Sequence, residues 1–115
     1  MTELTDAELE ARYRPLLEAE AASLLAASDA TRDDRKPVEL DQQSVGRLSR
    51  MDALQGQAMA KGMEARRAGR HRAIRAALLR LDEREFGYCE DCGEFIGTGR
   101  LDVDPCVLRC VSCAG

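Results

Sequence analysis

The sequence predicts a mainly α-helical protein: an antiparallel, coiled-coil-like helical hairpin followed by a small module folded around a metal. Three observations support this. Apolar residues recur at three- and four-residue steps in two stretches separated by a polar one. Aromatic residues make up only 3% of the chain and Trp is absent, which suits two helices that bury each other better than a broad globular core. The last quarter holds two cysteine pairs, Cys89/Cys92 in CEDC and Cys110/Cys113 in CVSC, with seventeen residues between them.

The first helix begins after Thr5, because Thr5-Asp6-Ala7-Glu8 has the T-x-x-E pattern of a capping box. Leu9, Tyr13, Leu16, Leu17, Ala21, Leu24 and Leu25 then form one apolar stripe. Pro15 lies inside that stripe without a backbone donor, so a kinked or delayed start is expected, with fraying over the first ten residues. Residues 28–41, SDATRDDRKPVELD, are polar, contain Pro37 and lack a period; they are expected to form the loop at the hairpin tip.

Asp41 can cap a second helix from Gln42 to about Glu85, with Gly87 as its terminator. Its apolar positions are Val45, Leu48, Met51, Leu54, Ala58, Met59, Met63, Ile74, Leu78 and Leu81, and the methionines read as packing inside the hairpin. Gly56, Gly62 and Gly69 weaken this helix or mark close approach of the first. The first helix is much the shorter, so folded back it is expected to cover only the N-terminal half of the second. Residues 1–85 are thus assigned to the hairpin and 86–115 to the metal module.

Cys89, Cys92, Cys110 and Cys113 have the spacing of two knuckles that converge on one tetrahedral Zn²⁺. Four thiolates leave no open position for water, so the ion is expected to be structural. A redox dithiol of the thioredoxin type would need an α/β context that the sequence lacks. Gly93 follows Cys92 where a permissive backbone is needed, and Cys106 is expected to be a spare thiol. Phe95, Ile96, Leu101, Val103, Val107 and Leu108 are the expected apolar cluster of this small treble-clef-like four-cysteine finger.

Charge is unevenly distributed. Residues 1–41 carry eleven acidic and five basic side chains, 42–84 four acidic and ten basic, and 85–115 six acidic and two basic. The balances of −6, +6 and −4 lack the dominant basic patch of a simple DNA-binding protein, and sequence-specific DNA binding is not expected. Arg66, Arg67 and Arg70 form a candidate basic face for a partner, with Arg72 and Arg75 beyond them. Asp29, Asp33, Asp34, Glu39 and Asp41 cluster at the expected tip, while His71, flanked by arginines, reads as a surface residue.

There is no run of eighteen apolar residues and no secretory signal, and the cysteine count is odd; a monomeric, cytoplasmic, non-membrane protein is expected. No nucleophile–base arrangement is visible, so an enzyme is not expected.

Gly87–Pro105, GYCEDCGEFIGTGRLDVDP, followed by CVLRCVSC, closely resembles the zinc finger of the DksA/TraR family of bacterial transcription regulators. The junction LDEREFGYCEDCG is more specific than the cysteines alone. The resemblance implies a non-enzymatic regulator that docks on RNA polymerase and inserts its hairpin into the secondary channel. Initiation then changes, often together with ppGpp in the stringent response. It also implies Cys89, Cys92, Cys110 and Cys113 as zinc ligands and Asp41 as the tip residue matching the first Asp of a DxxDxA motif. Ser44 and Gly46 stand where the second Asp and the Ala would fall, and the sequence ends two residues after Cys113, where some members continue into a further helix. The rival readings are a zinc-stabilised nucleic-acid-binding module and a protein adaptor.

Overall fold

In the computed structural model, which describes residues 3–37 and 47–114, two long helices dominate. Helix α1 runs Asp6–Ala30 and α2 runs Arg47–Asp82, with a 3₁₀ turn at Arg32–Arg35 after α1 and the short helices α3 (Thr98–Val103) and α4 (Val111–Ala114) near the C-terminus. None of the described helices is long and apolar enough to cross a membrane. Glu39, Asp41, Gln42, Ser44, Val45 and Gly46, on which the expected helix cap and tip motif fall, lie outside the described residues.

The capping box forms as expected. The Thr5 N–H donates to Glu8 Oε1 at 3.1 Å and the Glu8 N–H to Thr5 Oγ1 at 3.2 Å. The helix does not start late, however, but runs from Asp6 straight through Pro15. A proline in a helix interior costs about 3 kcal/mol. Leu9, Tyr13 and Leu17, all fully buried, each return roughly 1.5–3 kcal/mol on burial, which outweighs that penalty. Pro15 itself is on the exposed side. Leu16 and Leu25, placed on the same stripe by the sequence, are 55% and 58% exposed.

The segment expected to be loop from residue 28 is helical to Ala30 and then turns tightly. The Thr31 hydroxyl donates to Ala27 O at 2.8 Å, and the Thr31 N–H accompanies it at 3.1 Å. Polar residues here extend the helix because their side chains find backbone and cross-helix partners.

The described chain forms two compact units, one of Met1–Ala22 with His71–Gly115 and one of Ser23–Arg70. In the first, Leu9, Tyr13 and Leu17 of α1 are buried together with Ile74, Ala77 and Leu81 of α2 and with Phe86, Ile96 and Leu101. The Tyr13 and Phe86 rings lie 5.3 Å apart. The early part of α1 therefore accompanies the C-terminal half of α2, not the N-terminal half as its length suggested. The apolar sequence around Ile74–Leu81 gives Leu9–Leu17 a surface to bury.

In the second unit, Glu64 of α2 is the hub. Ser28 Oγ donates to Glu64 Oε1 at 2.8 Å, and Arg35 and Arg67 each approach Oε2 at 3.2 Å. The hydrogen bond from Ser28, followed by the two guanidinium charges, holds the Glu64 carboxyl below its ordinary pKa. Gln57 donates to Lys36 O. The half-buried line of α2 is Ala53, Gln57, Ala60, Glu64 and Arg67. Met51, Met59 and Met63 are off that line and 57%, 65% and 48% exposed; the expectation that they pack inside the hairpin is corrected. A Cβ at Gly56 would meet nothing within 4 Å, and one at Gly62 only its own helix's Arg66 side chain, so neither marks a close helix approach.

The end of α2 also differs from expectation. Arg84, not Gly87, is the left-handed residue that ends it, with φ of 61°. The Arg84 N–H reaches Leu81 O and the Glu85 N–H reaches Arg80 O, the paired bonds of a Schellman motif. Gly87 is needed for another reason: its φ is 91°, and a Cβ there would stand 3.2 Å from the Phe95 ring, 3.5 Å from Leu9 and 3.6 Å from Leu101.

Candidate metal centre

The first knuckle is a tight hairpin. Tyr88 and Phe95 form an isolated antiparallel bridge, and their rings meet edge-on at 5.7 Å. Within it the Cys89 N–H donates to Glu94 O at 2.8 Å and the Gly93 N–H returns to Cys89 O at 2.9 Å. The reversal places Gly93 at φ +77°, the permissive conformation expected after Cys92. The second knuckle uses a helix start: Cys110 immediately precedes α4, and the Ala114 N–H donates to Cys110 O at 2.9 Å. The Glu90 N–H to Leu108 O bond, 2.8 Å, joins the two knuckles. Arg109 reinforces the join through Glu90 and Asp91, each at 3.2 Å.

The result brings the sulfurs of Cys89, Cys92, Cys110 and Cys113 within 4.8 Å of one another. Cys92 Sγ and Cys110 Sγ are 3.7 Å apart. A tetrahedron of Zn–S bonds of about 2.3 Å has edges of about 3.8 Å, whereas a disulfide needs about 2.05 Å. This geometry and an all-thiol donor set fit a structural zinc ion. Backbone N–H groups of Cys110 and Cys92 draw the Cys89 thiol down to about 6, and side-chain hydrogen bonds with Cys110, Cys89 and Cys92 push Cys113 up to about 12. Four sulfurs so close cannot all ionise without a cation; a bound divalent metal would supply that charge.

Cys106 is not part of this cluster. Its N–H donates to Asp104 Oδ1 at 3.0 Å in a local turn, and the residue is half-buried. The expected apolar cluster is only partly realised. Ile96 and Leu101 are buried, but Val103 is 87% exposed and Leu108 38%. The apolar side of the finger faces Leu9 through Leu101 and Gly87, while Val107 is half-buried.

A polar contact that the sequence reading missed seats α3 on α1. The Tyr13 hydroxyl donates to Asp102 Oδ1 at 2.8 Å, while Arg12 makes a bidentate pair with the same carboxylate at 3.2 and 2.6 Å. Burial, followed by the bond to Asp102, raises the Tyr13 pKa to about 12. The Arg12 and Tyr13 hydrogen bonds hold Asp102 below its ordinary value. The available signal was a lone Tyr on an apolar stripe, whose hydroxyl requires a partner once buried. Arg80 adds another tie, donating to Tyr88 O at 2.6 Å and Glu85 O at 3.1 Å.

The arginines of the expected basic face are not equivalent. Arg66 is exposed and Arg70 half-buried. Arg67 is 16% exposed and committed to Glu64 and to Thr31 Oγ1 at 2.9 Å. Asp41 falls outside the described residues.

The prokaryotic dksA/traR C4-type zinc finger matches residues 84–115. Over 40 residues the chain is 48% identical to the RNA polymerase-binding transcription factor DksA of Haemophilus influenzae, a match covering 35% of this chain and 28% of that protein. The Escherichia coli K12 protein of the same name is 40% identical over 40 residues, 35% of this chain and 26% of the relative. The matches thus span little more than a quarter of these relatives. The solved structure of transcription factor DksA2 from Pseudomonas aeruginosa aligns with a TM-score of 0.62 at 22% identity, covering 95% of this chain and 77% of that one; the likeness is one of fold.

Proposed function

We propose, from the match of residues 84–115 to the prokaryotic dksA/traR C4-type zinc finger, that this chain is a member of the DksA/TraR family and a zinc-containing, non-enzymatic transcription regulator acting on RNA polymerase. The observation that carries the reading is the convergence of Cys89, Cys92, Cys110 and Cys113 in a finger packed with the start of α1 and the end of α2. In this reading those four cysteines are the zinc ligands. Zinc supplies a fixed tetrahedral centre when bound, and the chain's own residues do the rest. Tyr13, Arg12 and Asp102 fasten the finger to α1, and Arg80 fastens it to the end of α2.

The hairpin enters the polymerase secondary channel and alters initiation, with Asp41 at its tip and ppGpp as a co-regulator. Arg66, Arg67 and Arg70 supply the face that meets polymerase or nucleotide. Arg67 acts mainly by ordering Glu64 and Thr31, leaving Arg66 as the exposed contact.

The test is capture of purified RNA polymerase from the same bacterium by zinc-loaded protein, followed by promoter initiation with and without ppGpp. Binding with altered initiation supports the reading; Asp41→Ala should then retain binding and lose the effect on initiation. Absence of binding at low salt would overturn it, leaving a zinc-stabilised adaptor or nucleic-acid module. Salt-sensitive capture of duplex would identify the latter.

A further inference from the structure

The Ser23–Arg70 unit leaves one face of α2 without a partner among the described residues, and that face is complementary to itself. The contacts of Gln57, Glu64 and Arg67 fix the side of α2 that meets the preceding segments. At 100° per residue, Asp52, Gln55, Gly62 and Arg66 lie on a different face, with Met59 and Met63 at its edge, where they also line an open groove beside Asp33, Asp34, Lys36 and Pro37. Asp52, Gln55 and Arg66 are exposed, as are Met59 at 65% and Met63 at 48%. Neither Asp52 nor Arg66 has an ion-pair partner among the described residues.

The order along the face is what selects the occupant. Asp52, Met59 and Arg66 fall at seven-residue steps, an acid at one end, an apolar residue at the centre and a base at the other. Two copies of α2 laid antiparallel about a two-fold axis at Met59 put Asp52 of each opposite Arg66 of the other. Met59 then meets its own copy, and Gln55 meets Met63. Gly62 leaves room at the seam, since a Cβ there would approach only the Arg66 side chain, at 3.9 Å. A parallel pairing would instead set Asp52 against Asp52 and Arg66 against Arg66. The flexible methionines suit such an adaptable contact.

We propose that this face of α2 is an interaction surface for a second copy of the chain, paired antiparallel through Asp52, Met59 and Arg66. The symmetry is isologous, so it closes at a dimer. The seam is narrow and its rim polar, which makes the association weak and concentration-dependent. It also takes Arg66 out of reach of any other partner. The inference does not depend on the polymerase reading, and its test uses no polymerase.

The test is sedimentation equilibrium of zinc-loaded full chain over micromolar to millimolar concentration, with Asp52→Arg, Arg66→Asp and Met59→Glu variants whose helicity is checked first. Each charge variant should weaken self-association about tenfold, since each converts two attractive exposed pairs into repulsive ones. An equimolar mixture of Asp52→Arg and Arg66→Asp chains should associate again, because each then meets its opposite. The double variant in one chain should also recover. Monomer at every concentration would overturn the proposal, as would single variants that associate normally or a mixture that stays apart.

Discussion

At the scale of single residues, backbone conformation and sulfur position carry the argument. Arg84 occupies the left-handed conformation at the end of α2, φ 61°, where glycine is the usual choice. A side chain there costs about 1 kcal/mol, so Arg84→Gly should stabilise the protein by up to that amount, visible as a rise in Tm. A fall instead would mean that the Arg84 side chain supplies more than its strained backbone costs. Gly87 is the reverse case, since φ 91° is combined with Phe95 only 3.2 Å from an added Cβ. Gly87→Ala should cost about 1–3 kcal/mol, measured by denaturant unfolding of zinc-loaded protein. The cysteines divide in the same way. Cys110 lies in the four-sulfur cluster and Cys106 does not, so Cys110→Ser should lose zinc under mild chelation while Cys106→Ser retains it. Equal loss from both, read by metal analysis, would overturn the ligand assignment.

At the scale of elements, the seating of α3 on α1 depends on Tyr13 and Asp102, 89 positions apart in sequence. Tyr13 holds its proton more tightly when folded, with a pKa near 12 instead of 10. Its contribution to stability is therefore complete below pH 10 and is lost as pH rises from 10 to 12. Asp102 has the opposite sign: held low by Arg12, it contributes above its unfolded value near 4, and the contribution is lost as pH falls through the lower folded value. Tyr13→Phe should cost about 1–2 kcal/mol at neutral pH and flatten the stability profile between pH 10 and 12; an unchanged alkaline slope would show that another group controls it. This contact also marks the limit of sequence reading. The capping box, the Leu9–Leu17 stripe, the knuckle spacing and the Gly93 turn were legible because each depends on local spacing. The Tyr13–Asp102 pair, the exposure of Met51–Met63 and helix continuity through Pro15 were not, because tertiary burial decides which stripe is covered and which local penalty is overcome.

At the scale of the whole molecule, the four-sulfur cluster and the buried core meet within one of the two units. Cys89 is both a member of the sulfur cluster and part of the buried core, 3% exposed. Around it Phe86, Ile96 and Leu101 share that core with Leu9, Tyr13 and Leu17. Without a cation the four sulfurs cannot all be thiolates at this spacing, so if zinc holds the knuckles as proposed, its binding free energy would be folding free energy. Loss of the finger would then remove the cover from the early part of α1. Pro15, whose penalty is outweighed by the burial of Leu9, Tyr13 and Leu17, would no longer be offset. The Ser23–Arg70 unit has its own supports in Glu64, Arg35, Arg67, Ser28 and Thr31, none of them in the four-sulfur cluster. Chelation followed by hydrogen exchange should therefore abolish protection in residues 86–114 and strongly reduce it around Leu9–Leu17. Around Glu64–Arg67 the loss should be much smaller, and added zinc should reverse all of it. Uniform loss through both units would mean that the chain unfolds as one block. Retained protection in the finger would mean that its hydrogen bonds and apolar contacts suffice without metal.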